Sequence, residues 1–125
     1  MAVEAGKNAL NNTKVKREES KVISIGSGSP PYALRSMSSE VAMAIGIPLD
    51  IALLDFKESE KAGTTGLLTG IDILSNRGGV GLIIGSDSPL AKPNDEVEHT
   101  FGAGAAALIV GKNGGIADIE GYSSN

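Results

Sequence analysis

Three short stretches of the chain carry residue types that could do chemistry. Gly26-Ser27-Gly28-Ser29 combines hydroxyls with glycines that let backbone N–H groups approach an anion. Ser86-Asp87-Ser88 sets a carboxylate between two hydroxyls, and His99, the only histidine, stands among Asp95, Glu96 and Glu98. The first stretch matches neither the dinucleotide fingerprint nor the P-loop, and Pro30-Pro31 prevents a helix from starting directly behind it. Nucleotide binding is therefore not expected there. Ser86-Asp87-Ser88 has no second base near it in sequence, and no Gly-x-Ser-x-Gly elbow occurs, so Asp87 reads as a loop cap. A single histidine beside acids that follow Pro93-Asn94 reads as a solvated turn, and no metal site is expected.

The chain has no cysteine, which removes disulfides, thiolate metal sites and thiol nucleophiles together. A formal charge of −4 gives no attraction to nucleic acid or anionic lipid. Lys14, Lys16, Arg17 and Lys21 are the only basic run, and Glu18 and Glu19 interrupt it, so it reads as a solvated linker. No apolar stretch approaches the roughly 18–20 residues of a membrane span, and the N-terminus lacks a secretory layout. A cytoplasmic protein is the expected class, with neither nucleic acid nor membrane as partner.

These candidate residues need elements to hold them. Length of 125 residues gives room for a single domain over 1–125. Aromatics are only 3%, so the core must be built from branched aliphatic and small residues, which suits closely packed α/β layers. Ala2, Val3, Ala5, Ala9 and Leu10 form an apolar helical stripe that stops at Asn11-Asn12. Lys14 to Ser20 reads as a charged connector. Val22 to Ile25 is a strand, with Gly26 to Pro31 as its exit loop. Leu34, Met37, Val41 and Ile45 recur at helical spacing, closed by Gly46 and Pro48. Ile51 to Leu54 is a continuous apolar strand, Leu67, Leu68, Ile71 and Leu74 mark a helix, and Val80 to Ile84 is a third strand. Ala105–Val110 and Ile116–Ile119 are expected to form a hairpin around Lys112-Asn113-Gly114-Gly115. The alternation predicts an α/β fold with a mostly parallel sheet and helices on its faces.

Met1 to Leu10, Ile25 to Ala33, Lys61-Ala62-Gly63-Thr64, Ile84 to Asp87 and Gly102 to Ala106 follow one another in an order with a counterpart. Together they resemble the N-terminal half of archaeal-type hydroxymethylglutaryl-CoA synthases, within the thiolase fold. Members of that family are about three times longer and carry two fused βαβαβαββ units. The resemblance implies a thiolase-like half-unit with a C-terminal β-hairpin and without the first family strand. It also implies acyl-CoA chemistry by an acyltransferase, and admits a coenzyme A thioester as ligand, although no cofactor is expected from the residues themselves.

The same resemblance locates the catalytic positions. The family cysteine stands at the start of the third helix, where unpaired N–H groups and the dipole stabilise a thiolate, and Glu60 occupies that position. Glu60 is expected to act as a cap or first-turn residue, with a carboxylate nucleophile as the alternative. The family general base is a glutamate in a Gly-Ser-Glu-Ser segment, and Gly28 stands there, which gives the loop backbone freedom but no proton acceptor. The family histidine falls in the C-terminal half. Asp87 matches an acidic residue that supports the family site.

The missing first family strand belongs in the middle of the sheet. Three expectations follow: a fragment or mis-started frame, direct closure of the flanking strands, or a strand donated by another chain. Thiolase-fold enzymes dimerise through the strand that precedes the cysteine helix, which implies an interface at Ile51, Ala52, Leu53, Leu54 and Asp55. The leading expectation is a non-catalytic pseudoenzyme-type subunit that self-associates, as a homodimer or with a thiolase- or synthase-like partner. The alternatives are a variant condensing enzyme that needs a second chain, and an acyl-CoA binding protein.

Overall fold

A computed structural model describes residues 1–57 and 59–123. Helix α1 spans Ala2–Asn11, and a short 3-10 turn at Arg17–Glu19 leads into strand β1, Ser20–Ser27. Then follow α2 (Met37–Ile45), β2 (Ala52–Lys57), α3 (Ala62–Arg77), β3 (Val80–Asp87) and β4 (Gly104–Gly111). The sheet order is β2-β1-β3-β4; β1 is parallel to both neighbours and β4 is antiparallel to β3.

Sheet order explains the layers. The chain steps from β1 outward to β2, then back past β1 to β3. Crossovers of one hand in opposite directions put their helices on opposite faces. On one face Leu10 of α1 and Val41, Ala42 and Ile45 of α2 pack with Ile23, Ile25, Leu82 and Ile84 into the main core. Strand alternation sends Ser24 and Ile83 to the other face, under α3. There α3 approaches the sheet on small residues: Ala62, Gly66 and Gly70 are its buried positions together with Leu74. A Cβ on Gly70 would lie 2.6 Å from Ile83 Cδ1, and one on Gly66 would meet the Ser24 hydroxyl. That hydroxyl is fully buried and has no hydrogen-bond partner among the described residues.

The expected gap in the middle of the sheet is absent among the described residues, where β1 and β3 are direct neighbours. β1 and β3 pair with each other from Ser20↔Val80 to Gly26↔Gly85, with one irregularity between Ser20 and Val22. No row of central backbone groups is left unpaired along that register.

Four expectations need correction. The hairpin does not form: β4 pairs with β3, while residues 116–119 lie outside any strand, with Ile116 and Ile119 exposed. The run is too short and too exposed to add to an edge without a face to bury. Leu34 is not part of α2; the helix starts at Met37, because the Ser36 hydroxyl accepts the N–H of Ser39 and caps it. Leu34 belongs to an exposed loop whose carbonyls at Tyr32, Ala33 and Arg35 accept from the Lys57 ammonium at 3.3, 3.1 and 2.6 Å. The basic linker is not wholly solvated, since Arg17 Nε donates to the Ile45 carbonyl at 2.7 Å and pins the connector to the end of α2. Gly46 ends that helix at φ +75°, a conformation only glycine adopts without strain. Finally, β2 begins at Ala52, so Ile51 precedes it, and it extends beyond Asp55 to Phe56 and Lys57.

Candidate functional site

Parallel strands β1 and β3 end side by side, and the chain leaves them in different directions. That divergence opens a crevice beyond their carboxyl ends, the place where open α/β sheets hold ligands. Asp87 is the last residue of β3 and faces the loop leaving β1. Its Oδ1 accepts from Ser29 N–H and Ser29 Oγ, both at 2.9 Å, and from Ser27 Oγ at 3.0 Å. Ser29 Oγ in turn accepts from the Ser88 N–H at 2.8 Å, and Ser27 Oγ accepts from the Ser29 N–H at 3.2 Å. Two of the stretches singled out in the sequence are thus one network.

Asp87 carries a carboxyl below the ordinary range. Partial burial would raise it, but hydrogen bonds from the Ser29 side chain and backbone, the Ser27 hydroxyl and the Gly28 N–H outweigh that. A carboxylate so stabilised is a weak base. It fixes the loop and is poorly suited to accept a proton from substrate.

The third helix brings the remaining positions. Gly26 lies so close beneath its first turn that a Cβ there would collide with the backbone of Ala62 and Gly63. This contact sets the N-terminus of α3 over the end of β1. A cleft of about 340 Å³ opens here, lined by Gly26, Glu60, Gly63, Thr64 and Asp87, with Leu67 and Leu108 as its apolar wall. A second of about 460 Å³ adjoins it between the end of β3 and the start of β4, sharing Gly85, Asp87 and Ala106.

Glu60 reaches this cleft but does not cap α3. It is exposed and precedes Lys61, the N-cap residue, and the first turn holds no acid. No side chain caps α3; Ser59 closes the turn that leads into it, its Oγ accepting from the Lys61 N–H at 3.1 Å and its carbonyl from the Ala62 N–H at 3.1 Å. Sequence reasoning missed Ser59, whose side chain serves the turn before the helix and not the N-cap position that capping patterns mark.

Gly28 is exposed in the loop beside Asp87, and its φ lies outside the left-handed region. Backbone freedom is therefore not what glycine supplies there, contrary to expectation. A Cβ would sit 3.6 Å from the Ser59 carbonyl and 3.7 Å from Asp87 Oδ1, in ordinary contact. What glycine leaves is room beside the Asp87 carboxylate and the Ser59 carbonyl.

His99 joins neither cleft. It lies in an exposed turn, where Glu98 Oε2 accepts from the Asn94 N–H and Asp95 Oδ1 from the Val97 N–H. Among the described residues no group of three or more histidines and acids could hold a metal ion. No described helix is long and apolar enough to cross a membrane.

No protein-family model matches the chain. Over 125 residues it is 37% identical to the hydroxymethylglutaryl-CoA synthase of Methanopyrus kandleri, covering 99% of this chain and 36% of that protein. The chain is similar, end to end, to one third of a hydroxymethylglutaryl-CoA synthase. The Methanocaldococcus jannaschii synthase gives the same picture, with 36% identity, 99% coverage of this chain and 36% of its own. The chain thus spans about a third of the length of the curated relatives it matches.

Solved structures show the fold to be thiolase-like. MvaS in complex with 3-hydroxy-3-methylglutaryl coenzyme A superposes with a TM-score of 0.79 at 21% identity, over 88% of this chain and 27% of that one. A 3-oxoacyl-(acyl-carrier-protein) synthase III also gives 0.79, at 22% identity, over 93% and 36%. A hydroxymethylglutaryl-CoA synthase from Bacillus subtilis gives 0.77 at 25% identity, over 90% and 28%.

Proposed function

We propose that this hydroxymethylglutaryl-CoA synthase-like chain is a non-catalytic subunit that works by association, as a cytoplasmic homodimer or with a synthase-like partner. The observation that carries this reading is the position of β2. It is the outer strand of the sheet, paired with β1 on one side only, and its six residues are half-buried. An apolar edge of that kind is a ready template for another strand. Glu60 and Gly28 supply neither a thiolate nor the glutamate base of the family pattern, and Asp87 is engaged by the loop.

Sedimentation velocity at tens of micromolar, on the order of a weak dimer's range, tests this. The expected result is a dimer or larger species. A clean monomer there would remove the reading.

A second reading is favoured by the convergence of Glu60 and Asp87 on one cleft. In it the chain is part of an acyl-CoA enzyme, with a coenzyme A thioester as substrate, a second chain completing the site, and Glu60 as carboxylate base or nucleophile. Turnover of an acyl-CoA that needs the second chain and disappears in Glu60→Gln is its expected signature. No turnover with the second chain present would discard it.

A further inference from the structure

Lys112-Asn113-Gly114-Gly115 carries a turn signal that the fold does not use, since no described strand follows to close a hairpin on β4. We propose that Asn113 is a site of spontaneous deamidation, through a succinimide formed with Gly114, so that the charge at the end of β4 changes as the protein ages. This chemistry is independent of the associating role.

The step needs only the chain and water. The backbone nitrogen of Gly114 attacks the side-chain amide carbon of Asn113. A C–N bond forms to that nitrogen, the bond to the side-chain nitrogen breaks, and the Gly114 amide proton leaves with the ammonia. Water then opens the cyclic imide at either carbonyl, giving aspartate or isoaspartate.

The attacking nitrogen must be uncrowded and free of hydrogen bonds. A Cβ built on Gly114 would find nothing within 4 Å, and glycine leaves even that atom out. Its N–H makes no hydrogen bond among the described residues, because the hairpin that would engage it is absent. The Asn113 side chain is exposed and is likewise without a hydrogen bond among them.

The other described asparagines each lack one of these conditions. Asn8 lies inside α1, where the next N–H belongs to the helical ladder. The nitrogens that follow Asn11, Asn12 and Asn94 are all engaged: Asn12 N–H donates to the Asn8 carbonyl at 3.0 Å, Thr13 N–H to Leu10 at 3.3 Å, and Asp95 N–H to Lys92 at 3.0 Å. Asn76 sits in the last turn of α3 before Arg77, and its Nδ2 donates to the Asp72 carbonyl at 2.9 Å.

The product would act on a neighbour. Lys112 Nζ donates to the Ser75 carbonyl at 2.9 Å and ties this turn to the end of α3. A carboxylate on the adjacent residue competes for that ammonium. Isoaspartate also adds a methylene to the main chain, which moves the residues beyond it.

Deamidation adds one negative charge to the formal −4, so anion exchange resolves the product and peptide mapping by mass spectrometry locates it. In the full chain held at neutral pH, conversion at Asn113 should run at least about tenfold faster than at any other described asparagine, a barrier difference of about 1.4 kcal/mol. The rate should rise in mild alkali, because the attacking nitrogen must lose its proton. Asn113→Gln, whose longer side chain disfavours the ring, should abolish the anionic product. The same rate measured in urea separates fold from sequence: an open site gives the native chain a rate close to that of the unfolded one. A native rate tenfold or more below the unfolded rate, or equal conversion at Asn94, would overturn the assignment.

Discussion

Asp87 and Ser29, 58 residues apart in sequence, are joined by two hydrogen bonds to one carboxylate oxygen, each 2.9 Å long. The same oxygen satisfies the hydroxyl of Ser27, a residue only 2% exposed. This one atom couples the end of β3 to the loop leaving β1. Replacing Asp87 with alanine strips the Ser29 N–H and both hydroxyls of that acceptor. Only the Ser27 hydroxyl among them is buried, and leaving one such group unsatisfied costs about 1–3 kcal/mol, while the exposed Ser29 groups turn to water. Chemical denaturation of Asp87→Ala should show a loss in that range, with faster amide exchange at Gly28 and Ser29. Unchanged exchange at those amides would mean the network does not hold the loop.

The same network makes stability depend on pH. Asp87 titrates below its ordinary value of 3.8 when folded, so protons bind more tightly to the unfolded chain. Its contribution is present above the ordinary value and is lost as pH falls through the folded pKa. Thermal melts of the wild type should therefore fall toward those of Asp87→Asn below about pH 4, the normal aspartate range. At pH 7 the two should differ most. A gap that stays constant into acid would show that the carboxylate charge is irrelevant.

How far these features were legible in sequence depends on how local their cause is. α1 ended at Asn11 and α2 at Gly46 as periodicity and capping residues required, and three strand cores fell on their apolar runs. The Ser27–Ser29–Asp87 network was not legible, because pairing across the sheet depends on which strands become neighbours. Direct contact of β1 with β3 is a property of sheet order, which no local pattern encodes. The expected strand at Ile116–Ile119 failed for the converse reason: the Asn113-Gly114 turn signal was there, but no surface buries the run that follows it. Glu60 was placed at the mouth of the right helix, yet it precedes the N-cap residue Lys61, a distinction of one residue that boundary reading from sequence does not resolve.

Gly26 at the end of β1 and Gly28 just beyond it should respond differently to alanine. At Gly26 the new methyl would run into the backbone of Ala62 and Gly63, which cannot step aside without moving α3. Gly26→Ala should cost about 3 kcal/mol or more, in the range of severe overpacking. At Gly28 a Cβ finds only ordinary contacts and an unstrained backbone. Gly28→Ala should change stability by less than about 0.5 kcal/mol, or stabilise by up to about 1 kcal/mol through the unfolded state. Equal costs at the two positions, measured by urea unfolding, would contradict the close approach of α3 to β1.

A last prediction concerns Ser24 and Gly66, which meet where α3 crosses β1. The Ser24 hydroxyl is buried without a partner, so Ser24→Ala removes an unsatisfied group and should stabilise, by about 1 kcal/mol. Gly66→Ala should destabilise, because its Cβ would meet that hydroxyl first and Phe56 Cδ2 next, at 3.3 Å. Helix propensity alone would favour alanine by about 1 kcal/mol, so any loss reports the collision. Removing the Ser24 hydroxyl takes away the nearer obstacle. The double variant should therefore be more stable than the sum of the singles predicts, by about 1–2 kcal/mol in a double-mutant cycle. Additivity within about 0.3 kcal/mol would instead mean that α3 shifts as a body to admit the methyl. In that case the glycine face of α3 would be permissive, and the placement of its N-terminus over the cleft would owe less to Gly66 than to Gly26.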